Sequence, residues 1–185
     1  MLRRFLARSS RARVVFWVLL LAALGLYAAM ALWTVPAITS ASGGLAPLDA
    51  RPFGYGVDEA RAFLSALTAE GRALYLGPQH RLDNAFPLLY GALLAVAIWR
   101  LFGAGSPVLR AVLSVFPLLA AMFDYLENAR VRALLMADPD SVPGAMIASA
   151  NTASLGKWVL GSIAVLTILA LIAARLVGRR KEVTE

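Results

Sequence analysis

The sequence predicts an all-α, polytopic membrane protein: a four-transmembrane-helix bundle with an extra amphipathic helix in its first outer loop. Three observations predict it. Of 185 residues, 60% are hydrophobic and only 16% charged, where a soluble domain carries about a quarter charged. The apolar residues fall in four blocks of about 20, the length that crosses a ~30 Å hydrocarbon core. Basic residues crowd the two ends and one short loop, while acids gather elsewhere. With a mean hydropathy of +0.71, residues 1–185 read as a single membrane domain.

The spans cover about 14–35, 84–102, 107–129 and 154–177. The first follows MLRRFLARSSRAR and precedes ITSASGG, which together resemble a secretory signal peptide. Its apolar run exceeds the roughly 7–15 residues of a signal core, so a retained anchor is expected. The second and third spans are joined by Gly103-Ala-Gly-Ser-Pro107. There Ser106 suits the cap of the third helix, and Pro107 suits its first position, where no amide donor is needed. Ser141 before Val142-Pro143 gives the fourth helix a similar start, well outside the bilayer.

Charge sets the expected orientation. Arg3, Arg4, Arg8, Arg11 and Arg13 precede the first span, Arg100 and Arg110 flank the short loop, and Arg175, Arg179, Arg180 and Lys181 follow the last span. These regions hold 11 of the 18 basic residues and 2 of the 11 acids. The positive-inside rule places all three in the cytoplasm of a chain in the cell inner (plasma) membrane. Trp17 and Trp99 fall near the inner interface, Trp33 and Trp158 near the outer one, as interfacial aromatics do. The basic residues read as topology signals and lipid headgroup contacts. Nucleic acid is not an expected partner, because no basic stripe with interleaved aromatics exists.

The outer loop, 36–83, is more than a linker. Its first part, PAITSASGGLAPLDARPFGYG, reads as irregular. A helix over about 57–70 follows, opened by Asp58 and Glu59 and ended by Gly71. Val57, Ala60, Phe63, Leu64 and Leu67 recur on one face at helical spacing. This helix should lie on the outer membrane surface or lid the bundle. Pro78 and Pro87 should kink or interrupt the segment that leads into the second span.

Several chemistries are excluded or disfavoured. With no cysteine there is no disulfide, thiolate metal site or thiol nucleophile. His80 is the single histidine, which rules out a multi-His metal or bis-His haem site. No cofactor or metal is expected. A site of Asp83, Asp124 and Glu127 would have the right ligand type, but Lys157 beside it already supplies positive charge.

Charged side chains inside spans are costly, and here they coincide in depth. Counted from the cytoplasmic end of each helix, Asp83 lies about 25 Å in, Asp124 about 21 Å, Glu127 about 26 Å and Lys157 about 27 Å. Three helices thus place charge at one level near the outer edge of the core. Asp124, Glu127 and Asn128 share one face of the third helix through i, i+3 and i+4 spacing. Tyr90 lies two turns below Asp83. Asn84, Tyr125, Asn151 and Thr152 add hydrogen-bonding capacity nearby. The ordinary reading is helix-to-helix ties, Glu127 with Arg130 and Asp124 with Lys157, and a solvated His80. The sharper reading is a ligand site formed by Asp83, Tyr90, Asp124, Glu127, Asn128 and Lys157.

The segments FGYGVDEARAFLSALTAEGRALYL, LDNAFPLLYGALLA, PLLAAMFDYLENARVRALL and ANTASLGKW carry a resemblance across residues 53–158. The chain resembles a group of small bacterial four-helix membrane proteins with D-x3-P-x2-Y (Asp83, Pro87, Tyr90) and D-Y-L-E-N segments. That resemblance implies architecture and no chemistry. The leading functional expectation is a binding module for a lipid headgroup or small amphipathic ligand at the outer end of the bundle. The alternatives are a membrane-embedded enzyme using a carboxylate and Lys157 as acid and base on a lipid or isoprenoid, and an accessory subunit with a membrane-protein partner.

Overall fold

The computed structural model describes residues 10–103, 105–139 and 141–184, with side chains described between Val14 and Val177. The side chains of Arg3, Arg4, Arg8, Arg11, Arg13, Arg179, Arg180 and Lys181 lie outside this set. The chain is all-α, and four helical segments are long and apolar enough to span a membrane: Val14–Ala41, Ala69–Leu101, Pro107–Met136 and Gly144–Val177. Each reaches further toward the long-loop side than the apolar block that marks it. Helical geometry continues past the last lipid-facing residue because the extra turns pack on one another.

The first span is α1 (Ser10–Ala29), a π-helical turn (Met30–Thr34) and α2 (Val35–Ala41). A strap over 42–56 follows, containing one 3₁₀ turn (Leu48–Ala50), and leads to α3 (Val57–Ala66). The second span is α4 (Ala69–Leu74), a second π-helical turn (Tyr75–Gln79) and α5 (His80–Leu101). The third is α6 (Pro107–Met136) and the fourth is within α7 (Gly144–Thr184). Helix α6 packs against α5 and α7, α5 also touches α7, and α1 joins the bundle through α5. Large apolar side chains such as Leu21, Leu32, Leu88, Val108 and Leu166 stay exposed on the outside. That surface suits hydrocarbon as its solvent.

The loop helix is shorter than expected. It stops at Ala66, and Thr68 starts α4 by accepting a hydrogen bond from the Gly71 amide at 3.1 Å. Gly71 is therefore inside the next helix instead of ending this one. Its reason is space: a Cβ there would come within 2.5 Å of the Ala41 Cβ, and the Thr68 amide bonds the Ala41 carbonyl at 3.0 Å. The apolar face of α3 is turned inward. Ala60, Phe63 and Leu64 are buried with Val131, Leu134 and Ile147 in one core. So α3 covers the ends of α6 and α7, and the lid expectation is the one the packing matches.

The prolines act differently from one another. Pro78 sits in the second π-helical turn, a widened turn that accommodates a residue without an amide donor. Pro87 is buried inside α5, which continues through it to Leu101. Ser106 caps α6 as expected, accepting from the Leu109 amide at 3.4 Å with Pro107 following it. Ser141 does not cap α7. Its hydroxyl donates to the Asp138 carbonyl, and the Met146 and Ile147 amides take the Pro143 carbonyl instead.

Candidate functional site

The residues that meet at the loop end of the bundle arrive from three helices, the strap and the two π-helical turns. Helix α5 brings Asp83 and Tyr90, α6 brings Asp124, Glu127 and Asn128, and α7 brings Lys157. All six sequence-selected residues converge, and Asp83, Asp124, Glu127 and Asn128 are buried. Close helix contact makes this possible. A Cβ on Gly91 would come within 2.9 Å of the Ala121 Cβ, and one on Gly156 within 2.4 Å of the Phe123 ring. The glycines thus let α5 and α7 approach α6 closely enough for short polar side chains to meet.

Lys157 is the hub. Its ammonium is ion-paired with Glu127, lies 3.6 Å from Asp124 Oδ1, and donates to the Asp49 carbonyl at 3.3 Å. An ammonium has three protons, and three acceptors surround this one. Asn128 donates to the Asp83 backbone carbonyl at 3.0 Å, tying α6 to α5. The Tyr90 hydroxyl interacts with the Asp124 carboxylate across the same seam. The ring of Tyr90 is held by Phe86 at 5.0 Å between centroids.

The strap contributes what the sequence did not single out. Asp49, in the 3₁₀ turn, is buried and accepts from the Tyr75 hydroxyl at 2.6 Å and from Gln79 Nε2 at 3.4 Å. Gln79 in turn accepts from the Thr34 hydroxyl. Each of these two residues closes a π-helical turn, so the two widened turns face each other beneath the strap. Further along, the Tyr55 amide donates to Asn151 Oδ1 at 2.9 Å, which pins the strap to α7. Burial pushes the Tyr55 phenol above its ordinary value, and the negative charges of Glu127 and Asp49 push it further.

Other expected members stand elsewhere. Arg130 donates to the Ser149 carbonyl at 3.0 Å, leaving Glu127 to Lys157. Asn84 and Thr152 each bond a carbonyl one turn back on their own helix. Tyr125 is 40% exposed on the membrane face. It lines an apolar groove of about 410 Å³ between α5 and α6, together with Pro87, Leu88, Gly91, Met122 and Leu126. His80 is half-buried just outside the cluster.

Four carboxyl groups (Asp49, Asp83, Asp124 and Glu127) therefore surround one ammonium. Among the described residues, Tyr55 Oη is buried with no hydrogen-bond partner, while the buried Ser154 hydroxyl is within hydrogen-bonding reach of the Glu127 carboxylate. Ser154 lies beside Glu127, and Tyr55 lies near Glu127, Asp49 and Lys157. Buried charge and buried unbonded polar atoms are both costly. The arrangement can accept hydrogen bonds or positive charge from a bound group. Among the described residues, no group of three or more His, Asp and Glu side chains is placed to hold a metal ion. Compared with protein-family models, characterised proteins and solved structures, the chain matches none.

Proposed function

We propose that this chain is a binding protein of the cell inner (plasma) membrane, with both termini cytoplasmic and its strap outside. Its ligand is a small amphipathic molecule whose head group donates hydrogen bonds into the cluster around Lys157. The observation that carries this reading is the imbalance of the cluster. Lys157 has its three protons engaged, yet four carboxyl groups outnumber it and, among the described residues, Tyr55 Oη beside them lacks a hydrogen-bond partner. Ties between helices would need only the paired atoms. The groove between α5 and α6 supports the same reading, because it is apolar, membrane-facing and on the seam that Tyr90 and Asp124 cross. An acyl chain fits such a surface. The topology follows from where the basic residues fall.

The test compares the wild type with Asp124→Asn, Glu127→Gln and Lys157→Met, purified in detergent and supplied with phosphatidylethanolamine or phosphatidylcholine. Only the first head group has N–H donors. Retention of phosphatidylethanolamine over phosphatidylcholine, lost in Glu127→Gln at near-wild-type melting temperature, is the expected result. Equal retention of both lipids by all four proteins, with lower melting of the variants, makes the cluster a structural tie. The chain would then read as an accessory subunit.

A further inference from the structure

The strap reaches α7 through a tight turn. Arg51, Pro52, Phe53 and Gly54 form a β-turn closed by the Gly54 amide, which donates to the Arg51 carbonyl at 3.0 Å. Proline suits the second position of such a turn and glycine the fourth, and Gly54 takes φ +75°. The turn is fixed on both sides. Arg51 Nε and Nη2 both donate to the Ala46 carbonyl, at 3.0 and 2.7 Å. The same guanidinium carbon lies 5.9 Å from the ring centroids of Tyr55 and Phe63. On the other side, the Tyr55 amide is bonded to Asn151. This turn holds Phe53 outward at 95% exposure, the highest of any large hydrophobic side chain among the described residues. Pro52 beside it is exposed too.

A phenyl ring held out in water is unfavourable, and the depth of the turn gives it another solvent. Gly54 rests on α7, where a Cβ would come within 2.3 Å of Asn151 Oδ1 and 3.1 Å of Leu155 Cδ2. Leu155 and Asn151 stand about 30 and 36 Å along the helix from Arg175, at ~1.5 Å per residue. The hydrocarbon core is ~30 Å thick, and a bilayer with its interfaces about 40–45 Å. The turn therefore lies at the head-group boundary. Asn151, Leu155 and Trp158 share one face of α7 at i, i+4 and i+7 spacing. Below the turn, Trp158 and Val159 are exposed on the apolar surface. The turn thus lies against a lipid-facing flank of the bundle. Helix α3 cannot make this contact, because its apolar face is spent on the core.

We propose that Pro52 and Phe53 form an interfacial anchor, inserted into the leaflet on the strap side next to Trp158. The partner is the bilayer itself, since the two side chains offer apolar area and no charge to select a head group. Asp49 precedes the turn and Tyr55 follows it, so insertion holds the strap down over the cluster at Lys157. The anchor requires no ligand in that cluster and stands or falls without one.

The test uses the full-length chain, which has no native cysteine, in phosphatidylcholine vesicles. A nitroxide is attached at Pro52→Cys, which keeps Phe53, and at Ser65→Cys on the exposed face of α3 as the aqueous control. The label at 52 should be reached by oxygen, which partitions into lipid, and be shielded from a water-soluble nickel chelate. The label at 65 should show the reverse. Adding Phe53→Ser to Pro52→Cys should raise the access of nickel to the label several-fold at an unchanged melting temperature. A label at 52 as open to nickel as the one at 65, or one unmoved by Phe53→Ser, overturns the anchor. A label at 52 shielded from both reagents places protein over the turn and overturns the membrane assignment.

Discussion

Lys157 and Asp49 stand 108 positions apart in sequence, yet the lysine ammonium donates to the Asp49 carbonyl at 3.3 Å. One hydrogen bond thus joins the fourth span to the strap, and the same ammonium holds Asp124 and Glu127 of α6. Removing it leaves buried acids with no counter-charge. Lys157→Met is expected to destabilise by about 3–5 kcal/mol, the cost of breaking a buried pair from one side. Lys157→Met combined with Glu127→Gln should recover much of that loss. Thermal unfolding of the two singles and the double in detergent measures it.

Asp49→Ala should loosen the strap more than the bundle. It removes the acceptor of the Tyr75 hydroxyl and of Gln79, leaving buried donors unmet at about 1–3 kcal/mol. Limited proteolysis checks this. Cleavage within 42–56 should accelerate while the four spans stay intact.

Tyr55 gives a pH dependence. Its phenol is held above the ordinary value of 10.0 by burial and by the charges of Glu127 and Asp49. A group raised on folding contributes stability that is complete below its unfolded value and is lost as pH rises through its folded one. The wild type should therefore lose melting temperature as pH rises above about 10. Tyr55→Phe should flatten that decline. Because Tyr55 Oη has no hydrogen-bond partner among the described residues, the same substitution should be neutral or slightly stabilising near neutral pH.

Gly91→Ala tests the seam. Its Cβ would lie 2.9 Å from the Ala121 Cβ and 3.2 Å from the Pro117 carbonyl oxygen. Separating α5 from α6 should cost about 1–3 kcal/mol, as overpacking does. It should also weaken the Asn128-to-Asp83 bond across the seam. Melting temperature and lipid retention are expected to fall together.

The spans and the depth of Asp83, Asp124, Glu127 and Lys157 were legible because lipid imposes two simple rules on sequence. Apolar blocks must be long, and charges inside them must coincide to be tolerated. Asp49, Tyr55 and Gln79 were not legible. Asp49 and Tyr55 reach the site through a strap whose path depends on Leu48 burying among α3, α6 and α7 side chains, Gln79 through the π-helical turn Tyr75–Gln79, and no periodicity records either. Gly71 misled for a related reason. A glycine that ends a helix and one that admits Ala41 at close range look alike in sequence, and the choice lies in a tertiary contact. Tyr125 failed through direction. It lies one residue after Asp124, which rotates it about 100° around the helix and onto the membrane face.

A cluster at Lys157 that holds a ligand must open to it, and the absence of native cysteine lets one thiol report on that opening. Ser154, buried beside Glu127, is replaced in Ser154→Cys. The folded protein is then treated with a small cationic thiosulfonate, with and without added phosphatidylethanolamine. The thiol is expected to react in the folded state, and the lipid to slow the reaction. A thiol that reacts only after the protein is unfolded would contradict this, and the cluster would then be a closed tie between helices.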